Sequence, residues 1–234
     1  MKKYLVGFML GVTLTLGTIF LIPKPIAMPE PTPQIVYRDK IITKEVIKEV
    51  EKFTDLETVA KNVKNSCVMI YAYKGNVISQ GSGVVHKGYV ITAKHVVKGF
   101  DKIEVFTDDE KNGFYGTIHY IDPDLDVAII KATTGQKSVT LGDSDILVDG
   151  EKLVSITSPM GVLNAIDECV NSGFTKFDSE TLLAISESTM TSGSSGGAIF
   201  NQDSELIAMS IQGEKNVNYA IPINDLKPIL QTLK

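Results

Sequence analysis

Sulfur and imidazole are scarce in this chain. Only two cysteines occur among its 234 residues, Cys67 and Cys169, and only three histidines, His86, His95 and His119. Two thiols exclude a disulfide-built scaffold and a four-thiolate zinc site. Three histidines mean that any imidazole chemistry must choose among three side chains. Basic runs are missing as well. The 23 Lys and Arg stand against 28 Asp and Glu, for a net charge of −5. No cluster suited to a phosphate backbone exists, so no nucleic-acid partner is expected. What is present, 43% hydrophobic and 22% charged residues, is ordinary globular composition and excludes wholesale disorder.

The one long apolar run lies at the amino terminus. Lys2 and Lys3 precede residues 4–22, which carry no charge. About 20 apolar residues suffice to cross a bilayer as a helix. The two lysines favour a cytoplasmic amino terminus, which places the rest of the chain on the extracytoplasmic side. A cleaved signal peptide is the alternative, but its apolar core runs about 7–15 residues and no clean Ala-x-Ala site follows here. The length favours an uncleaved transmembrane anchor over 1–22. Pro23, Pro25, Pro29, Pro31 and Pro33 follow at close spacing; proline at that density gives an extended spacer rather than a helix. Residues 34–53 mix β-branched residues with alternating charge and fit either a helical or an extended pattern. We read 23–53 as a solvated stalk, with self-association of 34–53 as the alternative.

From residue 54 to 234 the pattern is that of one β-rich domain. Asp55 is an N-cap signal for a short amphipathic helix over 56–64. Runs rich in Val, Ile, Tyr and Thr then recur at 67–73, 82–86, 89–93, 102–107, 113–122, 127–131, 152–157, 166–174, 182–186, 198–201, 206–212 and 218–220. Short strands at this spacing, punctuated by Gly, Asp and Asn, predict an all-β barrel or sandwich. A helical pattern returns only over 224–234.

Three segments carry chemistry. His95 ends the apolar run 90–93, Asp126 opens the run 127–130, and Ser195 sits in the glycine-rich stretch 193–197. Taken singly, these read as a packed histidine, a turn aspartate and a loop serine. Together they supply a base, an orienting acid and a nucleophile. A serine hydroxyl attacks poorly at neutral pH unless a base takes its proton and a carboxylate orients that base. Chain order selects among the folds that use such a set. Gly193-x-Ser195-x-Gly197 matches a nucleophile elbow, but that fold places its histidine after the serine, and no histidine lies beyond His119. The subtilisin order needs Asp before His and has no support around His95. The order His, Asp, Ser is that of the chymotrypsin-like double barrel.

The domain resembles the HtrA/Deg-type branch of the trypsin-like serine proteases. Thr92-Ala93-Lys94-His95-Val96-Val97 is similar to the family's Thr-Ala-Ala-His-Val-Val. Asp122-Pro123-x-x-Asp126-Val127-Ala128 is similar to Asp-Pro-x-x-Asp-Leu-Ala, and Gly193-x-Ser195-Gly196-Gly197 to Gly-Asn-Ser-Gly-Gly. Four further segments match in the same order: 80–85, 141–145, 158–161 and 218–222. The resemblance implies an all-β fold of two six-stranded barrels with short terminal helices, preceded here by the anchor and stalk. It implies a serine endopeptidase without a cofactor or metal. Ser195 would be the nucleophile, His95 the general base, Asp126 its orienting acid, and the Gly193 and Ser195 N–H groups the oxyanion hole. It also places Thr189 at the base of the specificity pocket, Ser210, Ile211 and Gln212 along the substrate strand, and Val217 beside the pocket. A neutral Thr189 offers nothing to a basic side chain, so small or medium aliphatic P1 residues are expected.

The departures from the family pattern matter. Lys94 stands beside His95, where a close ammonium would disfavour the protonated ring; adjacent side chains along a strand point apart, so no damage is expected. Ser194 replaces the aspartate by which trypsin-like zymogens activate on amino-terminal cleavage. Family members usually carry PDZ domains after the protease domain, and the short stretch beyond Pro222 predicts none here. The resemblance implies unfolded or flexible protein substrates and an association into trimers, for which 34–53 is the candidate segment. A narrow processing protease and a non-catalytic binding module are the other readings. Cys67 and Cys169 are expected as buried thiols, with a disulfide as the alternative.

Overall fold

The computed structural model of the chain describes residues 55–107, 113–177, 180–186, 190–214 and 217–233, with the backbone alone for 212–214 and 217. The anchor and stalk expected over 1–22 and 23–53 lie outside the described residues. Among the described residues no helix is long and apolar enough to cross a membrane.

The described chain starts where its first cap forms. The Asp55 carboxylate accepts the Thr58 N–H at 2.8 Å and opens helix α1, Leu56–Val63. Val59, Ala60 and Val63 form its buried face. Six strands follow: β1 (Cys67–Lys74), β2 (Val77–His86), β3 (Tyr89–Ala93), β4 (Lys102–Phe106), β5 (Phe114–Ile121) and β6 (Val127–Lys131). They close into an antiparallel barrel in the order β1-β2-β3-β6-β5-β4. Closure leaves no unpaired edge. A two-residue strand β7 (Thr140–Leu141) leads into the second half, which contains β8 (Lys152–Thr157), β9 (Ala165–Phe177), β10 (Glu180–Ser186), β11 (Ala198–Phe200), β12 (Glu205–Glu214) and β13 (Val217–Pro222). These run β11-β8-β9-β10-β13-β12, and a β11–β12 pairing closes the second six-stranded barrel, with β7 added in parallel to β12. The two barrels are those of the chymotrypsin-like fold.

Why several strands read as unbroken apolar runs becomes clear from the two core clusters. Alternate residues of one strand face opposite ways. In the second barrel, Leu153, Leu183, Ile185, Ile199 and Ala208 fill the interior. Their neighbours Val154, Ile156, Leu182, Ala198, Phe200 and Met209 belong to the large cluster that holds the first barrel's interior. The second barrel therefore buries both faces of its inner strands, one inward and one against the first barrel. Helix α3 (Ile223–Gln231) adds Ile223, Leu226 and Leu230 to the same cluster. Cys67 lies in one cluster and Cys169 in the other, and they form no disulfide. Burial pushes the Cys169 thiol up to about 12, keeping it protonated.

Ile129 is fully buried in β6, within the large core cluster. Ile129→Ala is expected to lower unfolding free energy by about 2–5 kcal/mol, the usual cost of a truncated core aliphatic. Urea unfolding followed by far-UV circular dichroism measures it, and a loss under about 1 kcal/mol would contradict the packing described.

Candidate active site

His95 does not end a strand. It is the second residue of a four-residue helix, α2 (Lys94–Val97), that continues directly from β3. The β-branched pair Val96-Val97 gives no local helix signal. The turn is held from outside: the Lys94 N–H donates to the Asp126 carbonyl at 3.1 Å, and the His95 N–H donates to Asp126 Oδ1 at 2.9 Å. Asp126 Oδ2 meets His95 Nδ1 at 2.6 Å. Both carboxylate oxygens thus grip one residue, and the imidazole's Nε2 is the nitrogen left facing outward. The His95 side chain is 51% exposed and that of Asp126 27%, so the ring is open to solvent while the acid is partly covered. Burial pushes the Asp126 carboxyl up, but the hydrogen bond from the His95 ring, its charge and the His95 N–H outweigh that, holding it below the usual carboxylate range.

The loop that delivers Asp126 is built by Asp122. Its Oδ1 accepts the N–H groups of Asp124 and Leu125 at 3.0 and 2.8 Å, and its Oδ2 accepts the Tyr120 hydroxyl at 3.0 Å. This is an Asx turn that fixes the approach to β6. Asp124 is exposed and takes no part in the His95 pair. The Lys94 ammonium donates to the Asp122 carbonyl at 2.9 Å, so its side chain is held by this loop.

Ser195 comes from the tight turn between Met190 and β11. Ser195 Oγ donates to the Ile211 carbonyl at 2.8 Å. That carbonyl is available because the β12–β13 register shifts between Ser210 and Gln212. Ile211 is the extra residue of a β-bulge, outside the ladder. Gly196 brings the turn against the first barrel. Its φ is +85°, and a Cβ there would sit 2.3 Å from both the Ser82 carbonyl and Thr92 Oγ1 and 2.9 Å from the Ala93 nitrogen. Ser195 therefore lies against the end of β3, two residues before His95. The structure thus sets the Ser195 turn against the end of β3, from which the His95–Asp126 pair follows.

The turn presents its amides in an alternating pattern. The Ser192 carbonyl accepts the Met160 N–H at 2.8 Å, and the Ser194 carbonyl accepts the Gly197 N–H at 3.0 Å. A trans peptide points its N–H opposite to its carbonyl, so the N–H groups of Gly193 and Ser195 turn the other way, to the cleft. Among the described residues neither has an acceptor. A buried N–H without a partner is rare and suits an anion that arrives later. Gly193 has φ +96°, which strains any other residue, and a Cβ there would have to displace the end of the Gln80 side chain. Ser194, 2% exposed, accepts the Thr191 N–H on its Oγ at 3.1 Å, a neutral anchor inside the turn.

Of the expected specificity residues, Ser210 is buried and its Oγ donates to Met190 Sδ at 3.3 Å, and Ile211 holds Ser195. Gln212 and Val217 are placed by backbone in β12 and β13, and Thr189 lies outside the described residues. Sequence reasoning assigned no role to Gln80, Ser82, Thr92 or Ser158, which all touch the turn or its supports. The available signal was a serine between two glycines inside an apolar strand.

Residues 78–209, more than half of the chain, match the family model described as a trypsin-like peptidase domain. A curated relative, "Serine protease HtrA-like" from Staphylococcus aureus (strain USA300), is 29% identical over 180 residues, covering 66% of this chain and 23% of its own. The same-named protein of strain NCTC 8325 matches to the same extent. The chain spans about a quarter of the length of these relatives. Among solved structures, the HtrA-type protease AlgW with a tripeptide superposes with a TM-score of 0.69 at 23% identity, over 76% of this chain and 63% of that one, a likeness of fold.

Proposed function

Because the chain belongs to the trypsin-like peptidase family, we propose that it is a serine endopeptidase of HtrA type whose nucleophile is Ser195. The observation that carries the reading is the grip of both Asp126 oxygens on His95, at the end of the strand against which the Ser195 turn packs. His95 keeps its Nδ1 proton on Asp126, so Nε2 is free to act as a base. The Ser195 hydroxyl turns from the Ile211 carbonyl to that nitrogen and attacks the scissile carbonyl. Its proton passes to Nε2. The oxyanion so formed takes the two unoccupied N–H groups of Gly193 and Ser195, each worth about 3–4 kcal/mol in comparable sites. Collapse breaks the C–N bond, and Nε2 returns the proton to the leaving amine. Water, deprotonated by the same nitrogen, then releases the acyl group.

An extended substrate segment must enter the cleft, which favours unfolded or flexible proteins. The neutral Thr189 and the buried Met190 favour small or medium aliphatic P1 side chains. The uncharged run 4–22 behind two lysines favours tethering, with the peptidase domain on the extracytoplasmic side, and 34–53 is the segment through which copies would associate into a trimer.

The test is digestion of unfolded casein by the chain and by Ser195→Ala, read by mass spectrometry. Cleavage by the unsubstituted chain alone, after Val, Ala and similar residues, is expected. Ends dominated by Arg or Lys would overturn the P1 assignment. Intact casein in both reactions would remove general proteolysis, and a single cut in one partner would mark a narrow processing enzyme instead.

A further inference from the structure

We infer that Ser82 is the positioning residue of the 192–195 turn, reaching across from the first barrel to set the direction of the amides that the proposed reaction uses; the inference rests on that reading. Four successive carbonyls of the turn are tied down. Those of Ser192 and Ser194 are held within the second barrel. The other two are both held by Ser82: its Oγ donates to the Gly193 carbonyl at 2.8 Å, and its N–H donates to the Ser195 carbonyl at 2.8 Å. Ser82 thus holds the two peptides that alternate with those bearing the Gly193 and Ser195 N–H groups, and bears on those amides through their shared turn.

Ser82 is itself held on two sides. Its Oγ accepts the Ser158 N–H at 2.7 Å, and its carbonyl accepts the Thr92 hydroxyl at 2.7 Å. Gln80, two positions earlier on the same face of β2, donates to the Ser158 carbonyl at 2.6 Å. Both backbone groups of Ser158 are thus bound by side chains of the first barrel. Two residues on, Met160 supplies the N–H that holds the Ser192 carbonyl. Met160 does so with φ +51°, a left-handed conformation unusual for its side chain, while 80% exposed. The path runs from Ser82 to Ser158, to Met160, to the Ser192–Gly193 peptide.

The sequence around Ser82 follows from this task. A Cβ at Gly81 would lie 2.6 Å from Val96, and one at Gly83 would lie 2.6 Å from Val90. Those two positions face the first barrel's packed interior and have room only for hydrogen. The position between them faces the other barrel, is 1% exposed, and carries the smallest side chain that both donates and accepts. Alanine there would strand the Gly193 carbonyl and the Ser158 N–H together, and the peptides bearing them would rotate to find partners.

The effect of Ser82 runs through the oxyanion, so it shows in kcat and spares ground-state binding. Ser82→Ala is expected to lower kcat on a peptide substrate by about 10–100-fold with KM within about twofold. Affinity for a peptide aldehyde, which forms a tetrahedral adduct on Ser195, falls by the same factor as kcat/KM. The pair Ser82→Thr and Ser82→Val separates bonding from packing, because the two side chains have the same shape and only threonine donates. Threonine is expected to exceed valine at least tenfold in kcat, at similar melting temperatures. Equal rates for the pair, or a loss confined to KM, would overturn the inference. A crystal structure of Ser82→Ala reads the turn without turnover: the Gly193 carbonyl rotated from its present direction supports the inference, and an unmoved turn overturns it. An inactive unsubstituted chain would sink the peptidase reading and leave this structural test standing.

Discussion

His95→Ala and Ser195→Ala are each expected to lower kcat on a peptide substrate by roughly 10⁶-fold, and the double variant is expected to fall no further. The reason is that the two side chains form one device. Without Nε2 of His95 the hydroxyl keeps its proton and does not attack. Without the hydroxyl the base has no proton to take. The oxyanion turn and the substrate groove survive both changes, since the bonds that hold them involve Ser82, Met160, Gly197 and Thr191, not His95. A residual acceleration of about 10³–10⁴ over water is therefore expected in all three variants. Rates at high enzyme concentration, with the same assay after adding a covalent serine inhibitor to subtract contamination, decide the matter. Losses that multiply in the double variant would mean that the two residues act independently, and the proposed mechanism would fail.

The parts of this site that were legible in the sequence are those whose chemistry is local. His95, Asp126 and Ser195 each sit in a short segment with its own pattern, and their order along the chain removed two of three candidate folds. The strand runs were legible for the same reason, because burial of alternate or all residues marks a strand wherever it packs. The runs at 89–93, 127–131 and 152–157 coincide with β3, β6 and β8. What escaped is made by distant contacts. Helix α2 exists because Asp126, 31 positions away, takes the His95 N–H; Val96 and Val97 by themselves continue a strand. Strand β7 is two residues long, too short for any periodicity to appear. Ser82 gains its role from Ser158 and Gly193, 76 and 111 positions on. A small polar residue between glycines announces burial, but nothing local says which distant carbonyl it serves. The reach of β9 to Phe177 and β10 back to Glu180 was understated because residues 175–177 pair with 180–182 beyond the apolar runs, where exposed residues break the pattern.

Asp126→Asn is the second large effect, about 10⁴-fold in kcat, and it separates orientation from charge. The geometry leaves the amide one way to fit, since the flipped amide would set its NH₂ against the His95 N–H. The amide oxygen keeps the His95 N–H, now 2.9 Å from Oδ1. Its NH₂ then faces Nδ1, where Oδ2 now stands at 2.6 Å. An amide donor there forces Nδ1 to accept, so the ring proton moves to Nε2, the atom that must receive the Ser195 proton. The variant keeps the fold and holds the wrong tautomer. The carboxylate's depressed pKa adds a stability signature. A group held lower in the folded chain than in the unfolded one contributes stability above the ordinary carboxylate range, and that contribution is lost as pH falls through the folded value. The stability difference between the unsubstituted chain and Asp126→Asn is therefore expected to be constant at neutral pH and to shrink on acidification below about pH 4. Urea unfolding across that range, with kcat at neutral pH, measures both. A variant with unaltered kcat would remove Asp126 from the mechanism. A stability difference that grows as pH falls below about 4 would contradict the lowered Asp126 carboxyl described here.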